Sequence, residues 1–344
     1  MSQATAGNNP AFTARQGWGL FGLLALALLL WLFLSVWPEW LVAAIGPKKP
    51  FVNAVFNGVT VAGLYFLVAS GFTLVFGLMR NVNLAHGSLY LLGAYIGYTV
   101  AQATGYWILG IAAGMLSMAL AGVALQVFVF RRLEGNDLRQ TLVTIGISIV
   151  AADLMLAVWG GNTYQFAIPE WLDGAIATPI ITAVKSNGDL VYMKYPFYRL
   201  MVFVAAVVIG VALWLVLNRT RIGMMIRAGV DDRGMLQASG VNVQLVFAAV
   251  FAIGAGLAGF AGVVGGSVLS VAPGEDVRYL LASLVVVIVG GMGSVTGAAI
   301  GALLVGLAEQ IGLVYFPTYG AVLTFVIMVV VLAVRPQGLM GAAR

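Results

Sequence analysis

The sequence predicts an all-α, polytopic membrane protein of about ten transmembrane helices, and three observations carry that expectation. Of the 344 residues, 62% are hydrophobic and only 8% charged, whereas a soluble domain carries about 25% charged residues. The apolar residues fall in runs of roughly 20, the length that crosses a hydrocarbon core. Glycine occupies 44 positions, and small residues let helices approach closely in lipid, where no hydrophobic drive pushes them together. The same composition excludes several functions. With no cysteine, neither a disulfide framework nor a thiolate metal site is possible. The single histidine, His86, rules out a His-rich metal site and leaves little scope for His-based catalysis. A net charge of +5 would suggest nucleic acid in a soluble chain; arginines retained at a cytoplasmic face account for it here, and no nucleic-acid partner is expected.

Taken in order, residues 1–16 are polar and small and are expected to form a disordered cytoplasmic N-terminus. The Leu- and Trp-rich run 17–37 is too long for a signal-peptide core. It predicts an extra N-terminal transmembrane helix within 17–45, anchored by Trp31, Trp37 and Trp40. Nine further runs follow at 51–78, 84–102, 106–130, 141–160, 197–217, 244–270, 278–292, 294–314 and 317–334, inside a main transmembrane domain over 46–341. The run at 278–292 is short, and Gly290-Gly291-Met292-Gly293 separates it from the next. Alternating ten spans from a cytoplasmic start puts 11 of the 17 Lys and Arg residues inside, which makes both termini cytoplasmic. Residues 161–196, with Trp171, Glu170, Asp173 and Asp189, form the largest external segment, a small cap or docking surface.

The cytoplasmic stretch 218–241 interleaves Arg221, Arg227, Asp231, Asp232 and Arg233 with Met224, Met225, Met235 and Leu236. It reads as two short helical turns, the first capped at Gly229 and the second running from Asp231 to Gly240. A short amphipathic helix rich in Met and Leu suits the groove of another protein.

Polar residues within the spans are the other candidates. Asn53, Asn57 and Thr60 share one helical stripe, either lining a translocation path or hydrogen-bonding between helices. Asn83 and His86 lie in a dense polar cluster between two apolar runs, expensive at membrane depth unless it caps helices or lines a cavity. Gly293, Gly297 and Gly301, with Gly290 just before them, form a small-residue ridge for helix packing. Asp153 and Glu309 are isolated acids with no basic partner in any span, a thin case for proton or ion coupling. Nothing matches a phosphate-binding loop ending in lysine, so any use of ATP falls to a separate chain. No nucleophile–base pair and no metal-ligand spacing is present, and an enzyme is not expected.

Six motifs now add a resemblance. Phe56-Asn-Gly-Val-Thr60, Asn83-Leu-Ala-His-Gly87, Asn218-Arg-Thr-Arg-Ile-Gly223, Ala238-Ser-Gly-Val241, Val289-Gly-Gly-Met-Gly-Ser294 and Arg335-Pro-Gln-Gly-Leu339 resemble, in matching order over 51–341, the membrane permeases of branched-chain amino-acid ABC importers, most nearly the H-type subunit. Leu84 stands where the family usually has Phe, and the first 50 residues lie outside its usual core. The resemblance implies an inner-membrane permease with the transmembrane-domain fold of a type II-like ABC importer. It implies a homologous second permease, two cytoplasmic ATPase subunits that hold ATP and Mg, and a periplasmic binding protein docking on the external segment. The segment from Arg221 to Gly240 becomes the ATPase-coupling element, and no cofactor is bound by this chain. Urea, short amides or aromatic acids are alternative cargoes, and a self-contained ion- or proton-coupled carrier is the alternative mechanism.

Overall fold

The computed structural model describes residues 35, 37–79, 82–184, 189–231 and 233–341. The chain divides into two compact units, the smaller comprising the chain through Asn53 together with Ala175–Tyr195. In the smaller unit α1 (Glu39–Ile45) starts directly after Pro38. The Trp37 ring sits 5.5 Å from Phe51, centroid to centroid. The stretch Ala175–Tyr195 corrects the all-α expectation. β1 (Ala175–Val184) and β2 (Leu190–Pro196) pair as a two-stranded sheet. The Thr178 and Thr182 hydroxyls donate across it to the Met193 and Val191 carbonyls, each at 3.1 Å. The run Ile180-Ile-Thr182 is β-branched and favours a strand.

The larger unit carries most of the helices. After α2 (Lys48–Met79) come α3 (His86–Thr104), α4 (Trp107–Phe128), a 3₁₀ turn (Phe130–Leu133) and α5 (Asp137–Trp159). Then follow α6 (Phe197–Arg219), α7 (Arg221–Asp231), α8 (Arg233–Ala238), α9 (Val243–Val268), α10 (Glu275–Gly290), α11 (Val295–Tyr315) and α12 (Gly320–Val334). Every apolar run expected after residue 50 is helical. Among the described residues, however, six helices are long and apolar enough to cross a membrane: α2, α4, α5, α6, α9 and α11. The run 17–37 lies outside the described residues but for 35 and 37. Helices α3, α10 and α12 are shorter, at 19, 16 and 15 residues. Helix α3 is also the more polar, and its residues from His86 to Leu91 are all buried. A helix of that composition suits a protein interior and not a lipid face.

Two long helices break before a short one. Helix α2 is followed by α3, which begins at His86 against Val68, 11 residues inside the end of α2 (about 16 Å at helical rise). The segment 82–85 therefore lies back along α2, with Asn83 and Ala85 buried. Helix α9 is likewise followed by 269–274, held by an antiparallel bridge between Val271 and Tyr164 with both bonds at 2.8 Å. Gly274 then turns the chain into α10 at φ +90°, a left-handed conformation that glycine adopts without strain. The two short helices meet, because a side chain at Gly87 would strike the Asp276 carbonyl and Leu280.

Glycines set the remaining contacts, and these come in matching pairs. α2 meets α9 backbone to backbone at Gly71 and Gly254. α2 lies on α11 at Gly58 and Gly306, as α9 lies on α4 at Gly259 and Gly114. α3 lies on α4 at Gly93 and Gly114, as α10 lies on α11 at Gly290 and Gly297. Gly93, Gly114 and Gly259 thus form one three-helix junction with Met118 beside it. Gly259→Val should force α4 and α9 apart and destabilise the protein by about 1–3 kcal/mol or more. The check is the monodisperse yield and thermal midpoint in detergent, and a variant matching the unaltered protein would show that the junction is not tight.

Candidate functional site: a polar centre at two broken helices

The start of α3 is built from hydrogen bonds that replace those a broken helix loses. The Asn83 Oδ1 accepts from the Ala85 amide at 3.1 Å, and the Leu84 amide donates to the Thr144 hydroxyl of α5 at 3.2 Å. Ser88 pairs with Ser148 at 2.9 Å. His86, 1% exposed, places Nε2 3.1 Å from the Val68 carbonyl and its ring edge-on to Phe72. Asn83 is buried too, and its Nδ2 has no hydrogen-bond partner among the described residues.

One turn along, α2, α3, α10 and α11 bring together a cluster that sequence reading missed. The Tyr65 hydroxyl donates to Glu309 Oε2 at 2.6 Å. Arg278 Nη2 lies 3.6 Å from Glu309 Oε1, and its Nη1 lies 3.5 Å from Glu275 Oε2. The Tyr279 ring stacks on Tyr90 at 4.1 Å and meets Tyr65 edge-on at 6.0 Å. This corrects the expectation that Glu309 has no basic partner. Arg278 is the first residue of the short run 278–292, and only the fold brings it to α11. Asp153, by contrast, is exposed on α5 and lines a cavity of about 140 Å³ with Leu91, Tyr95 and Asp276.

The stripe on α2 has partners. Arg199, at the start of α6, donates to Asn57 Oδ1 at 2.6 Å, and its carbonyl accepts from the Thr60 hydroxyl at 3.2 Å. Asn53 falls in the smaller unit and is half-buried. In the glycine ridge, Gly297 and Gly301 face α10 at Gly290 and Val286, whereas Gly293 sits in the turn before α11 beside Gly77.

The stretch 221–238 forms α7 and α8, and the expected cap at Gly229 is corrected. Gly229 lies inside α7 and is buried, and the chain turns at Gly240. Gly223 is pressed on the last carbonyls of α6, at Val216 and Leu217. Arg227 donates to the Leu217 carbonyl and lies 3.3 Å from Asn218 Oδ1, so it satisfies the end of α6. Ile226 and Leu236 are buried with Leu213, Phe130 and Phe247, and Met225 packs against that cluster half-buried. Met224 and Met235 are exposed, as are Arg221 and Ile222. Asp232 and the side chains of Asp231 and Arg233 lie outside the described residues.

The family described as "Branched-chain amino acid transport system / permease component" matches residues 54–332. The chain belongs to that family. Among its relatives, the permease protein BraD of a high-affinity branched-chain amino acid transport system from Pseudomonas aeruginosa is 29% identical, covering 85% of this chain and 96% of its own. The corresponding LivH of Escherichia coli K12 is 28% identical with the same coverage. The ribose import permease RbsC of Haemophilus influenzae is 34% identical over 45% of this chain and 52% of its own. No solved structure matches. Membership makes this chain a multi-pass transport permease component, which is not itself an enzyme, and supports that reading over a self-contained carrier. The permease family model covers both broken helices, the tyrosine cluster and α7–α8.

Within this permease, Glu309 is held by the Tyr65 phenol on one oxygen and by Arg278 on the other. Glu309→Ala leaves a buried hydroxyl without an acceptor and should cost about 1–3 kcal/mol, while Glu309→Gln keeps an acceptor and costs less. Thermal midpoints of both variants in one detergent test this, and an alanine variant as stable as the parent overturns the assignment.

Proposed function

We propose that the chain is the H-type permease subunit of an ATP-driven importer that carries branched-chain amino acids across a bacterial inner membrane. Family membership is the observation that carries this reading. The relatives BraD and LivH are named for branched-chain amino acid transport, and the match runs over nearly their whole length. A homologous second permease completes the path; the LivM permease of Escherichia coli K12, 26% identical over 83% of this chain, is a relative of the kind that would fill that place. Two cytoplasmic ATPase subunits supply the drive, with ATP and Mg held there, and an external binding protein delivers the cargo to the segment 161–196. Both termini face the cytoplasm, and residues 17–45 add a span to the main domain 46–341.

The helix pair α7–α8 is the ATPase-facing element. Its residues divide by burial: Met224, Met235 and Arg221 are presented outward, Ile226 and Leu236 anchor the pair, and Arg227 ties it to α6. Asn57, Thr60, Asn83 and His86 lie along the path as positioning groups: Asn57, Thr60 and His86 each hold a neighbouring helix through the bonds described above, Asn83 holds the start of α3, and Asn53 extends their stripe. Membrane purification of the chain in mild detergent should bring down two ATPase chains and a second permease. The double variant Met224→Glu, Met235→Glu should purify intact but lose the ATPase and cut uptake at least tenfold. Undiminished uptake and co-purification would remove α7–α8 from the coupling role, and a homo-oligomer without any ATPase would overturn the importer reading itself.

A further inference from the structure

The Arg278–Glu309 pair does more than join two helices. Glu309 is the fifteenth of the 21 residues of α11, two turns inside its end at Tyr315. Arg278 is one turn inside α10, yet half of its side chain is exposed. A half-exposed guanidinium on a membrane protein faces water or another protein chain in preference to hydrocarbon, which gives this flank of α10 a polar surrounding. Both ion-pair separations, 3.5 and 3.6 Å, exceed the 2.7–2.9 Å or so of a closed charge-assisted hydrogen bond. The acid is meanwhile fixed in place, because its other oxygen holds the Tyr65 hydroxyl. The result is an immobile carboxylate and a loosely held guanidinium side by side. Val277 and Leu281 stand exposed next to Arg278 on the same helix.

From this we propose that Arg278 and Glu309 form a binding station for the head group of a zwitterionic aliphatic amino acid. The carboxylate of the ligand pairs with Arg278, its ammonium with the free side of Glu309 Oε1, assisted by Glu275, and its side chain lies along Val277 and Leu281. The ligand's carboxylate and ammonium take over partners from the two open ion pairs of Arg278, and because a zwitterion carries no net charge, ligand entry and exit strand no buried charge. A guanidinium suits this task because its planar fork matches a carboxylate. The station selects for a free carboxylate and a free ammonium, and it disfavours amides, amines and sugars of similar size. The proposal rests on the importer reading above.

The test is uptake of radiolabelled L-leucine by cells expressing the whole transport system with variants of this chain. Uptake by the parent system is the control on the importer reading, and its absence would count against that reading, not against the station. Given parent uptake, Arg278→Gln should reduce maximal uptake at least tenfold with the complex assembled at parental yield, and Arg278→Lys should recover part of it. The charge-reversed double variant Arg278→Glu, Glu309→Arg remakes the pair but reverses the order of the charges along the helix face. It should remain at least tenfold impaired. Recovery of uptake in that double variant would make the pair a mere helix clamp and overturn the proposal, as would parental uptake by Arg278→Gln. Excess L-leucinamide, which lacks the carboxylate, should leave the parent uptake undiminished in right-side-out vesicles loaded with ATP and supplied on the outside with L-leucine-charged binding protein, and equal competition by the amide would also overturn it.

Discussion

The structure depends on how closely helix backbones approach. Lipid supplies no hydrophobic drive between helices, so association rests on contact at short range, and the contacts here are made by glycines facing backbone. Gly71 against Gly254 crosses the two long helices, and the junction of Gly93, Gly114 and Gly259 packs three helices at once. The close approach also makes the broken helices tolerable. Chain that leaves helical geometry at membrane depth needs internal partners for its amides and carbonyls, and those partners must be within about 3 Å. Thr144 reaches the Leu84 amide, and the Val68 carbonyl reaches His86, because α5 and α2 are drawn in around the start of α3.

The matching contacts of α2–α3–α4 and α9–α10–α11 place the starts of the two short helices beside one another. Half-helices that begin inside a transporter commonly aim unsatisfied amides at a ligand or ion path. In this chain the aromatic cluster of Tyr65, Tyr90 and Tyr279 fills the space next to those starts, and the charged pair stands at its edge. Polar chemistry is thus concentrated where the continuous spans are interrupted, while the exposed face of α4 carries Ile108, Leu116, Leu120 and Phe128 and that of α6 Val208, Val211, Trp214 and Leu215.

Much of this was legible in the sequence. Run lengths gave the helices after residue 50, and the Gly290–Gly293 break stands where α10 ends and α11 begins, with Ser294 capping the next helix through the Gly297 amide at 3.0 Å. What was not legible follows from geometry. Hydropathy sees length and apolarity, so it counts α3 and α10 as spans and cannot see that they start partway through the protein. The paired contacts escaped because glycine spacing, and not similar residues, carries them. Glu309 seemed partnerless because its cation, Arg278, sits 31 positions earlier and comes close only through the packing of α10 on α11. Gly229 looked like a cap because glycine at a helix end is common, whereas here it is buried inside α7. The hairpin at 175–196 was hidden by its setting, a short β-branched run in a chain otherwise read for helical period.

The seat of α7 on α6 has a mechanical meaning. Gly223 lies on the final carbonyls of α6 and Arg227 bonds to the same end, so α7 is fastened to α6 and not hung from a slack linker. At its far end α6 holds Asn57 and Thr60 through Arg199. The helix between is 23 residues long, a rod of about 34 Å. A load applied to α7 must therefore either shear those hydrogen bonds or be delivered, the length of α6 away, to the first half of α2.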